Sequence, residues 1–207
     1  MATQSSAGSV TILRCIGRGK SATKTWRLLA GAQLPEKSDF DAGTWFRAER
    51  RHLSNIVELS NLLTLLERDS GGFVIRGEPL PHIDLAEPVR RKKKPDKTGC
   101  FWFRDVPGGL RWVLLDVDKF SMPTAIDVVA DPGGAVFHLV SLVPACLQDV
   151  SFHWQLSSSA GIGHKLGLSV HLWFWFDRAV TDTELSLWAE RDNVPIDTAL
   201  FRTVQPH

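Results

Sequence analysis

Apolar and polar residues alternate over SVTILRCIG at 9–17. With its β-branched content, this stretch predicts a strand, and GRGKSATKT behind it predicts a basic loop. Between Thr44 and Arg68 the spacing changes. Trp45, Phe46, Leu53, Ile56, Val57, Leu59, Leu62, Leu63, Leu65 and Leu66 recur at helical intervals among charged residues, which predicts the longest helix of the chain. GGFVIRGEPL at 71–80 follows as a short strand between Gly and Pro, and PHIDLAEPVRRKKKPDKTG after it reads as an exposed, proline-punctuated linker. A module boundary is therefore expected near residue 98, with an N-terminal α/β accessory module over 1–98 and a second module over 99–207.

The second module opens with CFWFRD, the turn VPGG and LRWVLLDVDKF, a pattern that predicts a hairpin whose second strand is buried on both faces. DVVADPGGAVFHLVSLVPA has no clear periodicity. SFHWQLSSS predicts a strand running into a polar loop, GIGHKLG a Gly-rich turn, and LSVHLWFWFD a very apolar strand. TDTELSLWAERD carries Thr181 and Glu184 at capping-box spacing and predicts a short helix. Strands and helices in this mixed order predict an α+β fold with a largely antiparallel sheet and packed helices.

Composition bounds what such a fold can do. The chain has 207 residues, 43% of them hydrophobic, which suffices for one globular domain or two small modules. No apolar run approaches the roughly 20 residues of a membrane span, so no membrane partner is expected. Cys15, Cys100 and Cys146 lie far apart without zinc-ligand spacing, and MATQSSAGS lacks the features of a secretory signal, so a cytoplasmic location is expected. The absence of tyrosine removes every mechanism with a tyrosyl nucleophile, including those of relaxases, topoisomerases and tyrosine recombinases. Net charge is only +1, yet Arg90-Arg91-Lys92-Lys93-Lys94 forms a basic run and Asp177 to Asp197 is acidic. The basic run reads either as a contact to a nucleic-acid backbone or as a solvated loop. Trp112, Trp173, Trp175 and Trp188 fall on predicted strands or an amphipathic helix and read as core or interface rather than as base-stacking groups.

Three short patterns carry candidate chemistry. Asp116 and Asp118 stand two apart on an otherwise apolar strand, which puts both carboxylates on one face about 6.6 Å apart along the backbone. Such a pair is compensated by an oxygen-preferring divalent cation, Mg²⁺ or Mn²⁺, unless the strand ends at Asp116 and both are solvated turn residues. Ser169 and His171 repeat the same period and place a hydroxyl and an imidazole on one strand face, as phosphate donors or as satisfied core residues. Upstream, Lys165 in the Gly-rich turn offers a cation to a polyanion. Asp197, after Ile196, is a further aspartate on a hydrophobic step, which on its own reads most simply as a cap or turn.

The ordered set Leu114-Leu115-Asp116-Val117-Asp118, then Ser169-Val170-His171, then Ile196-Asp197 resembles the three motifs of the archaeo-eukaryotic primase superfamily, in particular the primase-polymerases of plasmids, phages and integrated elements. The similarity covers about residues 101–207. It implies a primase-like, RRM-like catalytic core and nucleotidyl transfer from an NTP or dNTP on a single-stranded DNA template, with primers either made or extended. It also implies two bound Mg²⁺ or Mn²⁺ ions held by Asp116, Asp118 and Asp197, and nucleotide phosphates bound by Ser169 and His171, with Lys165 able to add a charge there. Arg90, Arg91, Lys92, Lys93 and Lys94 are the candidates for holding the template. A helicase or further C-terminal domain of a longer replication protein is an implied partner. Two other readings stand beside it. One is a non-catalytic single-stranded nucleic-acid-binding or replisome-docking domain of the same fold, and the other is a two-metal nuclease, in which the SxH motif has no evident task.

Overall fold

The computed structural model describes residues 6–17, 19–22, 24–38, 41–91, 95, 97–158, 160, 167–192, 194, 196 and 200–201. In chain order the strands are β1 (Ser9–Cys15), β2 (Lys20–Ser21), β3 (Thr25–Arg27), β4 (Glu36–Ser38), β5 (Asp41–Ala42), β6 (Phe46–His52), β7 (Gly72–Ile75), β8 (Glu78–Pro79), β9 (Phe103–Arg104), β10 (Leu110–Phe120), β11 (Phe152–Leu156) and β12 (Leu168–Val180). The helices are α1 (Ile56–Leu66), α2 (Pro132–Val140) and α3 (Asp182–Arg191). The fold is mixed α+β. Its two larger sheets, β6-β1-β7 and β10-β12-β11, are antiparallel throughout.

The strands expected at 9–17 and in LRWVLLDVDKF, SFHWQL and LSVHLWFWFD form, the one expected at 71–80 divides into β7 and β8 of different sheets, and the helix after Thr181 forms too. Its capping box closes in both directions: Thr181 Oγ1 accepts from the Glu184 N–H, and Glu184 accepts from the Thr181 N–H. Two expectations are corrected. The helix expected across Thr44–Arg68 begins only at Ile56. Its first part is the edge strand β6, because Phe46 and Ala48 turn inward with period two while β6 pairs with β1 from Ser9↔His52 to Cys15↔Phe46. The helix starts where Asn55 accepts from the Glu58 N–H and Glu58 accepts from the Ser54 N–H. The hairpin expected across VPGG does not close either. The β9 segment pairs with β8, and β10 pairs with β12. The aperiodic stretch DVVADPGGAVFHLVSLVPA contains α2, started by Asp131 accepting from the Gly134 N–H with Pro132 in the first turn.

Hydrophobic burial joins the two sheets. Val10, Ile12 and Val74 of the first sheet share one core with Leu59, Leu62 and Leu63 of α1 and with Trp112–Leu115, Leu172 and Trp173 of the second. The Trp112 indole N–H donates to the Ser9 carbonyl at 2.9 Å, which anchors β10 against the start of β1. The α1 helix covers one face of the second sheet, touching β11 through Ser60 and His153. On the other face, Phe137 of α2 meets Phe152, which in turn meets Phe174. A smaller cluster of Leu13, Phe46, Phe73, Ile75, Val89 and Phe103 fills the opposite face of the first sheet.

Candidate functional site

Asp116 and Asp118 lie toward the C-terminal end of β10, beyond its fully buried stretch Trp112–Leu115. The β10–β12 ladder puts Asp116 directly across from His171 and Val117 across from Val170, then resumes at Phe120↔Leu168. Two residues, Asp118 and Lys119, therefore face the single Ser169, which makes a β-bulge. Lys119 takes the left-handed backbone conformation at φ 56°. The bulge gives Ser169 two partners. Its Oγ donates to Asp118 Oδ1 at 2.8 Å and accepts from the Lys119 N–H at 3.0 Å.

Asp116 Oδ1 is 3.4 Å from His171 Nε2, and both side chains keep a little under a third of their exposure. Burial pushes the His171 pKa below its ordinary value, and the Asp116 charge acts the other way. The row continues onto the third strand, where Gln155 is the register partner of His171. Gln155 donates to Glu67 Oε1 at 2.8 Å, just past the end of α1, and accepts from the Trp173 indole N–H at 3.1 Å. One sheet face thus carries Asp116, His171 and Gln155 side by side, with Asp118 and Ser169 in the next row.

The sequence-predicted residues fall into three groups. Asp116, Asp118, Ser169 and His171 are brought together. Arg90 and Arg91 are set apart from them in another arrangement: the Arg90 guanidinium lies over Trp45, 5.2 Å from its ring centroid, and that of Arg91 over Phe73 at 5.6 Å. Asp197, Lys165, Lys92, Lys93 and Lys94 lie outside the described residues. Sequence reasoning missed Gln155 and Glu67. The only signal for Gln155 is its alternation with His153 inside SFHWQL, and Glu67 has none, since its position depends on where α1 docks.

Asp116 and Asp118 present oxygen donors on one face of a strand at a partly open position, a donor set that suits a hard divalent cation. Among the described residues, no group of three His, Cys, Asp or Glu side chains converges as a metal site. None of the described helices is long and apolar enough to cross a membrane. Comparison with known proteins returns no match to a family model, a curated protein or a solved structure.

Proposed function

We propose that the chain is a nucleotidyl transferase of the primase-polymerase type that makes or extends primers on single-stranded DNA. The observation supporting this reading is the pairing of two motifs some 50 residues apart: Asp116 lies opposite His171, and Asp118 is hydrogen-bonded to Ser169. In a solvated turn, neither aspartate would have a fixed partner.

Asp116 and Asp118 would hold Mg²⁺ or Mn²⁺, with Asp197 as the third carboxylate of the resemblance. When bound, the cations neutralise the triphosphate and lower the pKa of the attacking 3′-hydroxyl. Ser169 has a single hydroxyl proton and gives it to Asp118 while accepting from the Lys119 N–H, so it fixes the direction of that carboxylate. Its first task in this reading is to position Asp118 rather than to contact phosphate. His171 is the phosphate-facing group. Its imidazole N–H can donate a hydrogen bond to a phosphate oxygen, and burial holds its pKa below the ordinary value. Gln155 holds Glu67 beside this row. Nothing in the scheme requires a side-chain nucleophile, which suits a chain without tyrosine.

The test is synthesis from labelled nucleotides on unprimed and primed single-stranded DNA with Mg²⁺ or Mn²⁺, comparing wild type with Asp116→Ala/Asp118→Ala. Products from wild type and a loss of at least about a hundredfold in the variant are expected, the scale of removing transition-state charge stabilisation. An undiminished yield in the variant would remove the metal-site assignment. Silence of the wild type on both templates, with DNA binding retained, would replace the polymerase with a non-catalytic binding module.

A further inference from the structure

The tryptophans of this protein differ in their exposure. Trp112 and Trp173 are buried in the core, whereas Trp45, just before edge strand β6, keeps 42% of its surface exposed. Three separate stretches of chain meet at Trp45. The Phe46 and Val89 backbones exchange N–H···O bonds of 2.9 and 2.8 Å, so the antiparallel bridge places Arg90 across from Trp45 and its guanidinium over the indole. On another side the Trp102 ring stands edge-on to Trp45, with centroids 6.0 Å apart and planes at 83°. Trp102 is fixed by packing on the smaller core cluster and by its carbonyl, which accepts from the Leu80 N–H at 3.1 Å. Its neighbour Phe101 is 44% exposed.

Core formation accounts for Trp102 but not for Trp45, whose ring faces water. Charge pairing does not account for Arg90 either. Arg14, Arg50, Arg51 and Arg104 around the same sheet all pair with carboxylates. Among the described residues no acidic side chain pairs with Arg90, and its Nε has no hydrogen-bond partner. An exposed indole braced by a second indole, with an uncompensated guanidinium over one side of its ring, complements a ligand that combines a flat aromatic face with an anionic group. In sequence Arg90 opens five consecutive cations, which favours a polyanion over a small ligand.

We propose that Trp45, braced by Trp102, is a stacking platform for a base of a single-stranded nucleic acid, and that Arg90 holds the adjoining phosphate. A duplex keeps its base faces stacked on one another, so the platform selects single strands. The inference stands apart from the nucleotidyl-transfer reading, since a non-catalytic binding module would use the platform equally well.

The experiment is fluorescence anisotropy of a labelled oligothymidylate of about 20 nucleotides, titrated with the full chain at several salt concentrations without divalent cation or nucleotide. Trp45→Ala should weaken binding about tenfold, and Trp45→Phe should retain most of the affinity. An abasic oligomer of equal length should bind wild type about as weakly as oligothymidylate binds Trp45→Ala. Arg90→Ala should reduce the slope of log affinity against log salt by about 0.7, with Arg90→Lys restoring it. A failed polymerase assay of the wild type with Trp45-dependent binding intact separates the two proposals. Equal affinity of wild type for the abasic and base-carrying strands would overturn the platform, as would preference for duplex, undiminished binding by Trp45→Ala, or no binding by wild type. If circular dichroism shows that Trp45→Ala is unfolded, Trp45→Phe and the abasic strand decide the question.

Discussion

His153 illustrates how a single buried ring ties the protein's stability to pH. Its Nδ1 is 2.9 Å from Ser60 Oγ on α1, while Nε2 is buried with no hydrogen-bond partner among the described residues and lies 3.9 Å from Glu67 Oε1. Burial pushes its pKa down, and the Glu67 charge only partly opposes this. The folded chain therefore binds this proton less readily than the unfolded chain, whose imidazole titrates near about 6.5. The stabilisation is complete above that pH and is lost as pH falls through the lower folded-state value. Denaturant midpoints should drop between about pH 7 and pH 5, and His153→Gln should flatten part of that slope. The remainder belongs in part to His171, which burial shifts the same way. A wild-type-minus-variant difference that is constant over this range would mean that His153 is not held neutral. The sequence offers none of this, since His153 and Ser60 are 93 residues apart and meet only when α1 docks on β11.

At the scale of the element, the site depends on one irregularity in the β10–β12 pair. The alternation of Asp116 with Asp118, and of Ser169 with His171, is legible within each strand. Which aspartate meets which SxH residue is a matter of register between distant segments, and the bulge changes that register locally. Gly167 permits the bulge: its φ is +117°, and a Cβ there would lie 2.8 Å from the Phe120 carbonyl oxygen and 3.0 Å from that of Lys119. Gly167→Ala should cost about 2 kcal/mol in chemical denaturation and, through displaced Lys119 and Asp118, lower the proposed primer synthesis as well. Gly99→Ala is the control. It also has a positive φ, but nothing lies within 4 Å of its added Cβ, so a smaller loss is expected. Equal costs at the two positions would mean that backbone conformation alone, not the close approach to β10, decides the effect. The late start of α1 at Ile56 has a similar origin. Around β6 the charged residues Arg47, Glu49, Arg50 and Arg51 suit a helix surface and an edge strand alike, and only the cap at Asn55 with Glu58 marks the change of period.

Across the whole molecule, a buried cation holds together what hydrophobic contact alone would leave open. The β10–β12 ladder breaks between Leu110↔Val180 and Trp112↔Trp175, so β12 carries extra residues with no ladder partner on β10. Arg76, only 2% exposed just after β7, fills the gap. Its guanidinium donates to the carbonyls of Trp112 and Val180 and to Asp182 at the start of α3, and it lies over the Trp112 ring. Burial pulls its pKa down, and Asp182 and Asp105 pull it back up. One side chain thus joins the first sheet, both strands at the ladder break and α3, in a way a strand-like GGFVIRGEPL does not reveal. Arg76→Met should remove about 3 kcal/mol or more, because Asp182 and two strand carbonyls lose their partner together. In a double-mutant cycle with Asp182→Asn, the second change should cost much less in the Arg76→Met background than in wild type. Unfolding followed by tryptophan fluorescence and by circular dichroism should coincide in wild type, since both sheets share one core. If the cycle is additive, Arg76 acts through its packing on Trp112 rather than through the charge it shares with Asp182.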